Sequence, residues 1–220
     1  MNETLAYILS GIIAYCLGSI SAGILISRKA HGPDLRSVGS KNTGASNVLR
    51  TMGWKYGLMT FAGDCLKAVA ACWIGRLMTG EQEGALLCGL LVIIGHNWPV
   101  FFGFRGGKGV ASSCGVMIFC FPVPALICFA IAIAIIALTK YISLGSMCML
   151  TSYAVIVSCF YSGGSRKVIL WAALMAVLCL LRHRTNIIRL IHGTENKFGQ
   201  KVKPTESASV SAPTNRKEQH

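Results

Sequence analysis

Between residues 110 and 139 the chain runs for 30 residues without a charge. Few places in a soluble domain accept such a stretch, because ~20 apolar residues already cross the hydrocarbon core of a bilayer as a helix. Thirty is too many for one ordinary span. Pro122 and Pro124 also interrupt it, and proline removes a backbone donor and crowds the preceding turn. The run reads as a hairpin of two helices turning at the prolines. Its short first arm, 110–121, either recruits the residues before it or enters only part of the membrane.

Four further uncharged or nearly uncharged stretches, 5–27, 84–104, 141–161 and 168–181, and a fifth, 56–78, that carries Asp64, Lys67 and Arg76, continue the pattern. With 53% hydrophobic and 13% charged residues, most of the chain belongs in lipid. The expected fold is an all-α, polytopic integral membrane helical bundle of seven spans. The net charge of +13 invites a nucleic-acid reading, but no soluble basic stripe with interleaved stacking aromatics is there to carry it. Topology accounts for the charge instead: with the N-terminus outside and the C-terminus cytoplasmic, 17 of the 21 Lys and Arg fall inside, as the positive-inside rule requires. A five-span alternative uses single helices across 110–139 and 141–181. It buries Arg166 and Lys167 in the bilayer and needs one very long helix, so it ranks second. The segment 5–27 lacks a basic leader and a small-residue cleavage site, and reads as a retained first span. The ten cysteines lie in apolar segments without a CxxC pair and read as small buried hydrophobes rather than disulfides or zinc ligands. Residues 199–220 are polar, basic and aperiodic, which predicts a disordered cytoplasmic tail after a single membrane domain, 1–198.

Three polar clusters punctuate the apolar chain. The first, GSKNTGASNVLR at 39–50, holds Ser40, Asn42, Asn47 and Arg50. The i, i+3 spacing of Asn47 and Arg50 puts both on one helical face, where a hydroxyl, free N–H groups and a guanidinium fork suit an anion. A polar capped connector fits the same residues. The second, GHNWPVFFGFRGGKGVAS at 95–112, runs from His96 into Gly106, Gly107, Lys108 and Gly109. Successive glycine N–H groups can converge on one oxyanion ahead of a helix N-terminus, with Arg105 and Lys108 supplying charge. It is no nucleotide P-loop: Phe102 replaces the first Walker glycine, and Gly109 follows the lysine in place of Ser or Thr. A flexible basic turn at a membrane surface is the competing reading. The third, RHRTNIIRLIHGTENK at 182–197, repeats His183, Asn186 and Arg189 every third residue and ends near Glu195. On a helix these share a face, as a base with anion donors or as a basic anchor on anionic lipid. Asp64 and Lys67, i, i+3 within a span, form a structural ion pair or border the site, the former being favoured.

Together, in order and spacing, the three segments resemble the signature motifs of the bacterial acyl-phosphate:glycerol-3-phosphate acyltransferases, integral membrane enzymes of phospholipid synthesis in the cytoplasmic (inner) membrane. The resemblance covers the chain from the first span to about Lys197. Ser21 stands where members usually have proline, Asn97-Trp98 follows the second motif's histidine, and Arg105 and Ser112 replace Lys and Thr. The first departure leaves the bend of span one open; none removes a motif cation or histidine.

The resemblance implies transfer of a fatty acyl group from acyl phosphate to the 1-hydroxyl of glycerol 3-phosphate, at a cytoplasm-facing site, giving lysophosphatidic acid and phosphate. It implies no cofactor, metal, acyl-CoA or nucleic acid, and membrane lipids as surroundings. By resemblance, Ser40, Asn42, Asn47 and Arg50 bind or orient acyl phosphate, and Gly106, Gly107, Lys108 and Gly109 hold glycerol 3-phosphate; His96 either joins the substrate-binding residues or simply bonds a neighbouring helix. His183 and Asn186 stand at the reacting centre with Arg189 beside them, and Glu195 braces the third motif. Two other classes use the same cations: a transporter or channel for phosphate esters, and a lipid-binding scaffold. Against transport, the strong polar groups gather on one side rather than at mid-membrane; a scaffold leaves the glycine loop without a purpose.

Overall fold

A computed structural model describes residues 2–199. Apart from Gly199, the expected tail lies outside the described residues. All regular elements within them are helical. Helices α1 (Glu3–Ser19) and α2 (Ala22–Lys29) form one apolar unit of 27 residues with a break at Ile20 and Ser21. No proline makes that break. Ser21 caps α2 instead, its Oγ accepting from the Ile24 N–H at 3.4 Å. The carbonyls freed there meet an unusual partner: Lys67 Nζ, in the middle of α4, lies 3.0 Å from the Gly18 oxygen and 2.6 Å from that of Ile20.

Short α3 (Ala45–Met52) precedes α4 (Trp54–Thr79), α5 (Gln82–Asn97), α6 (Val110–Cys120) and α7 (Pro122–Thr139). Then follow α8 (Ile142–Ile156), extended by a wider turn over Val157–Tyr161, α9 (Arg166–Arg182) and α10 (Arg184–Ile191). Among the described residues, five units are long and apolar enough to cross a membrane, or six if α9 and α10, bent by 60° at His183, count as one crossing. The 30-residue uncharged run divides at Phe121, with Pro122 opening α7, where its missing N–H would be unsatisfied anyway. Neither long helix of the five-span alternative forms, since 141–181 also breaks between α8 and α9. Helix α6 has 11 residues, ~16 Å of length, about half of a hydrocarbon core.

The outer surface is inverted relative to a soluble protein. Leu66, Leu138 and Phe160 are 68, 85 and 78% exposed, while Asp64 is buried. Helices approach through small residues. A Cβ on Gly95 would strike the Tyr15 carbonyl, one on Gly18 that of Val92, and one on Gly115 that of Cys65. Without a hydrophobic drive between helices in lipid, such close backbone contact is what holds α1 on α5 and α4 on α6.

Candidate functional site

The three polar clusters converge on one cavity of about 470 Å³. Its wall is mixed. Polar groups come from α3 and the loop before it, the α6 N-terminus, α10 and the segment after it, joined by Asp64, His96, Ser143 and Ser146; apolar ones include Phe61 from α4, Ile118 from α6, Phe129 and Ile133 from α7 and Met149 from α8. Eleven of the thirteen residues expected from sequence line it; Gly106 and Gly107 do not.

A wired line of side chains joins several of the polar groups. Lys108 Nζ donates to Asn186 Oδ1 at 2.5 Å, and Asn186 Nδ2 donates to Glu195 Oε1 at 2.6 Å. Glu195 also accepts from Ser143 Oγ at 2.9 Å and, through Oε2, from Arg189 Nε at 2.7 Å. The carboxylate thus ties α8, α10 and the glycine loop together. Burial works to raise its pKa, but the hydrogen bonds from Asn186, Arg189 and Ser143 prevail and hold it below the usual value. Lys108 spends one of its three protons on this line. Burial first, then the nearby Arg189 guanidinium, pulls its ammonium down to about 8.

In the first cluster, Asn47 works through the loop that carries Ser40 and Asn42. Its Oδ1 accepts from the Ser40 N–H at 2.8 Å and its Nδ2 reaches the carbonyls of Leu35, Val38 and Asn42 at 3.2, 3.2 and 2.8 Å. The amide is consumed in folding the loop, so Asn47 orients Ser40 and Asn42 rather than offering itself. Arg50, half-buried on the cavity wall, has no hydrogen-bond or ion-pair partner among the described residues. Burial holds its pKa below the ordinary value. An unmatched buried cation is costly, and this one faces space large enough for an anion.

The glycine loop also departs from the expected cradle. The Gly107 N–H is spent on the His96 carbonyl at 3.1 Å, and Cβ atoms on Gly106 and Gly107 would strike the His96 carbonyl and imidazole Nε2. These two glycines let the loop lie against the end of α5. Gly109 alone faces the cavity, with φ of +80° as it opens α6. The anion-ready group is therefore the free N–H end of α6 together with Lys108.

His183, buried at the α9–α10 bend, donates from Nδ1 to the Cys179 carbonyl at 2.8 Å. A carbonyl can only accept, so the proton is on Nδ1 and Nε2 keeps its lone pair, without a partner among the described residues. Two contributors were not singled out in the sequence. Arg182 donates to the Gly107 carbonyl at 2.6 and 3.1 Å, and its guanidinium lies 5.1 Å over the Trp98 ring. Ser143 meets Glu195 across 52 positions of chain. A last-turn arginine hints at the first; nothing local announces the second.

A bundle with an apolar perimeter is that of an integral membrane protein, and a cavity lined by both cationic and apolar side chains suits an amphiphile with an anionic head. Residues 8–193 match the family model described as "Glycerol-3-phosphate acyltransferase". Curated glycerol-3-phosphate acyltransferases are similar across nearly their whole length. That of Thermoanaerobacter sp. (strain X514) is 42% identical over 195 residues, covering 89% of this chain and 97% of the relative. That of Clostridioides difficile (strain 630) is 41% identical over 206 residues, with 90% and 98% covered. Two crystal structures of PlsY (YgiH), an integral membrane glycerol 3-phosphate acyltransferase, superpose on this fold. The glycerol 3-phosphate form gives a TM-score of 0.81 at 39% identity, covering 88% of this chain and 96% of that one. The lysophosphatidic acid form gives 0.79 at 38%, covering 88% and 95%. This chain belongs to the glycerol-3-phosphate acyltransferase family, acyltransferases of phospholipid synthesis.

Proposed function

We propose that the protein transfers a fatty acyl group from acyl phosphate to the 1-hydroxyl of glycerol 3-phosphate, releasing lysophosphatidic acid and inorganic phosphate. The observation that carries this reading is the continuity of the cavity: phosphate-binding groups and an apolar acyl path share one space. That PlsY was crystallised with glycerol 3-phosphate and with lysophosphatidic acid supports the acceptor and the product.

An acyl phosphate is a mixed anhydride, so phosphate leaves without a covalent enzyme intermediate. The acceptor oxygen forms a bond to the acyl carbon, the acyl–phosphate C–O bond breaks, and the hydroxyl proton ends on the departing phosphate. His183 Nε2 accepts a hydrogen bond from the attacking hydroxyl and holds it in line. Lys108, with its two unspent protons and the α6 N–H groups beside it, holds the acceptor's phosphate; Arg50, Ser40 and Asn42 take the donor's. Asn186 keeps the Lys108 ammonium aimed, and Arg189 and Glu195 fix Asn186. On this reading the chain passes the inner membrane seven times, short α6 included, with its N-terminus outside and the cavity opening to the cytoplasm.

Purified protein in detergent, given palmitoyl phosphate and glycerol 3-phosphate in the presence of EDTA, is expected to release phosphate and form 1-acyl product; palmitoyl-CoA is expected to yield none. No release from folded protein would overturn the reading.

A further inference from the structure

Beside the cavity, three side chains inside the bundle form a set whose proton count can be worked out. The Lys67 ammonium has three protons to donate. Three acceptors lie around it in hydrogen-bond geometry: the carbonyl oxygens of Gly18 at 3.0 Å and Ile20 at 2.6 Å, and His96 Nδ1 at 3.1 Å. Asp64 Oδ1, 2.7 Å from the ammonium, supplies the counter-charge. Neither Asp64 oxygen stands in hydrogen-bond geometry with a donor among the described residues. Asp64 Oδ1 also lies 3.4 Å from His96 Nδ1, the longer of that nitrogen's two contacts. Because an ammonium only donates, the nitrogen it faces presents a lone pair, and the imidazole proton belongs on Nε2.

That Nε2 is at the edge of the site. It abuts the glycine loop so closely that a Cβ on Gly107 would overlap it, and His96 lines the cavity next to Gly109 and Lys108. No acceptor for Nε2–H is present among the described residues, although His96 is only 5% exposed. His96 belongs to the cavity lining, so a ring donor left without a protein acceptor is available to a ligand there. We infer that Lys67 is a positioning residue for this reaction: it sets the His96 tautomer so that Nε2–H donates to a phosphate oxygen of a bound substrate. The inference rests on the acyl-transfer reading above, and its chemistry suits either substrate's phosphate.

The full chain, 15N-labelled at histidine and reconstituted in nanodiscs, tests the tautomer directly, with His96 assigned by its loss in His96→Gln. An Nε2-protonated His96 is expected in the wild type, and loss of that single tautomer in Lys67→Met. A wild-type His96 protonated on Nδ1 would overturn the inference. Kinetics supply a second arm. Lys67→Met is expected to raise KM roughly tenfold or more, the effect of losing a hydrogen bond to a charged group. The substrate whose KM moves identifies which phosphate is held. Glutamine carries an amide N–H near the place of Nε2 and needs no tautomer set, so Lys67→Met should add little in a His96→Gln background. An equal penalty in both backgrounds means that Lys67 merely holds the α1–α2 break, and sinks the inference. Absence of turnover in the wild type would instead sink the acyl-transfer reading, while the spectrum still decides the tautomer.

Discussion

Lys108 holds its charge under conditions that weaken it, and this makes the site sensitive to pH. With its ammonium pulled down to about 8 by burial and by Arg189, the residue is cationic at neutral pH and loses its proton as pH rises through that value. The expected outcome is a kcat/KM for glycerol 3-phosphate that falls with an apparent pKa near 8, since this ratio reports the free enzyme. Lys108→Ala should raise KM about ten- to a hundredfold, as for loss of a charged hydrogen bond, and abolish that limb of the profile. A limb that persists in the variant belongs to another group. His183 works on the other kinetic constant. Its Nε2 has no partner among the described residues, so His183→Ala should lower kcat by about 10²-fold, the scale of lost positioning, and change KM little. Turnover near the wild-type level would make the residue a brace for the α9–α10 bend.

At the scale of elements, the break in the first span shows one conformation reached by different chemistry. Ile20, with φ of −73° and ψ of 109°, already has the extended backbone that a following proline demands, and Ser21 has φ of −88°. Ser21→Pro is therefore expected to leave the thermal midpoint in detergent and the activity nearly unchanged. A clear loss of either would show that the Ser21 cap holds the break. Gly115 is a contrasting case, because a Cβ there meets the Cys65 backbone rather than a yielding side chain. Gly115→Ala should cost about 1–3 kcal/mol, the usual toll of overpacking, read as a lowered midpoint of thermal unfolding in detergent. An unchanged midpoint would mean that α4 and α6 part freely.

These elements also mark what was legible in the chain. Charge spacing and proline position revealed the helices and the division of the 110–139 run, because membrane burial and backbone chemistry act locally. The clusters, too, were visible as polar islands in an apolar sequence. Their internal division of labour was not. Glycines at 106 and 107 look the same whether they cradle an anion or let a loop pack on His96, and only the Gly107 N–H bond to the His96 carbonyl decides. Asn47 likewise shows its role only through four loop partners. The ammonium of Lys67 reaches the α1–α2 break across 47 and 49 positions, a pairing that no helical period encodes.

Considered as a whole, the molecule builds its site from chain ends and breaks: the α6 N-terminus, the α9–α10 bend and the segment after α10. That arrangement sets where the chain can be cut. Glu195, the carboxylate on which Ser143, Asn186 and Arg189 converge, lies beyond the last helix. The segment carrying it is fastened again at Phe198, whose N–H donates to the Lys140 carbonyl at 2.6 Å between α7 and α8. The family match ends at residue 193, short of both contacts. Truncation after Gly199 keeps every wired contact, and is expected to leave kcat and both KM values within about twofold of the full chain, near-neutral on the scale where tenfold is 1.4 kcal/mol. Truncation after Thr194 removes the carboxylate, releases Asn186 from one side and leaves Arg189 beside Lys108 without its counter-charge. The neighbouring cation then presses harder on the Lys108 ammonium, so turnover should collapse, and the alkaline limb of any residual activity should move below pH 8. Equal activity in the two truncations would show that the site is held without Glu195; loss already at Gly199 would assign a working role to the residues beyond it.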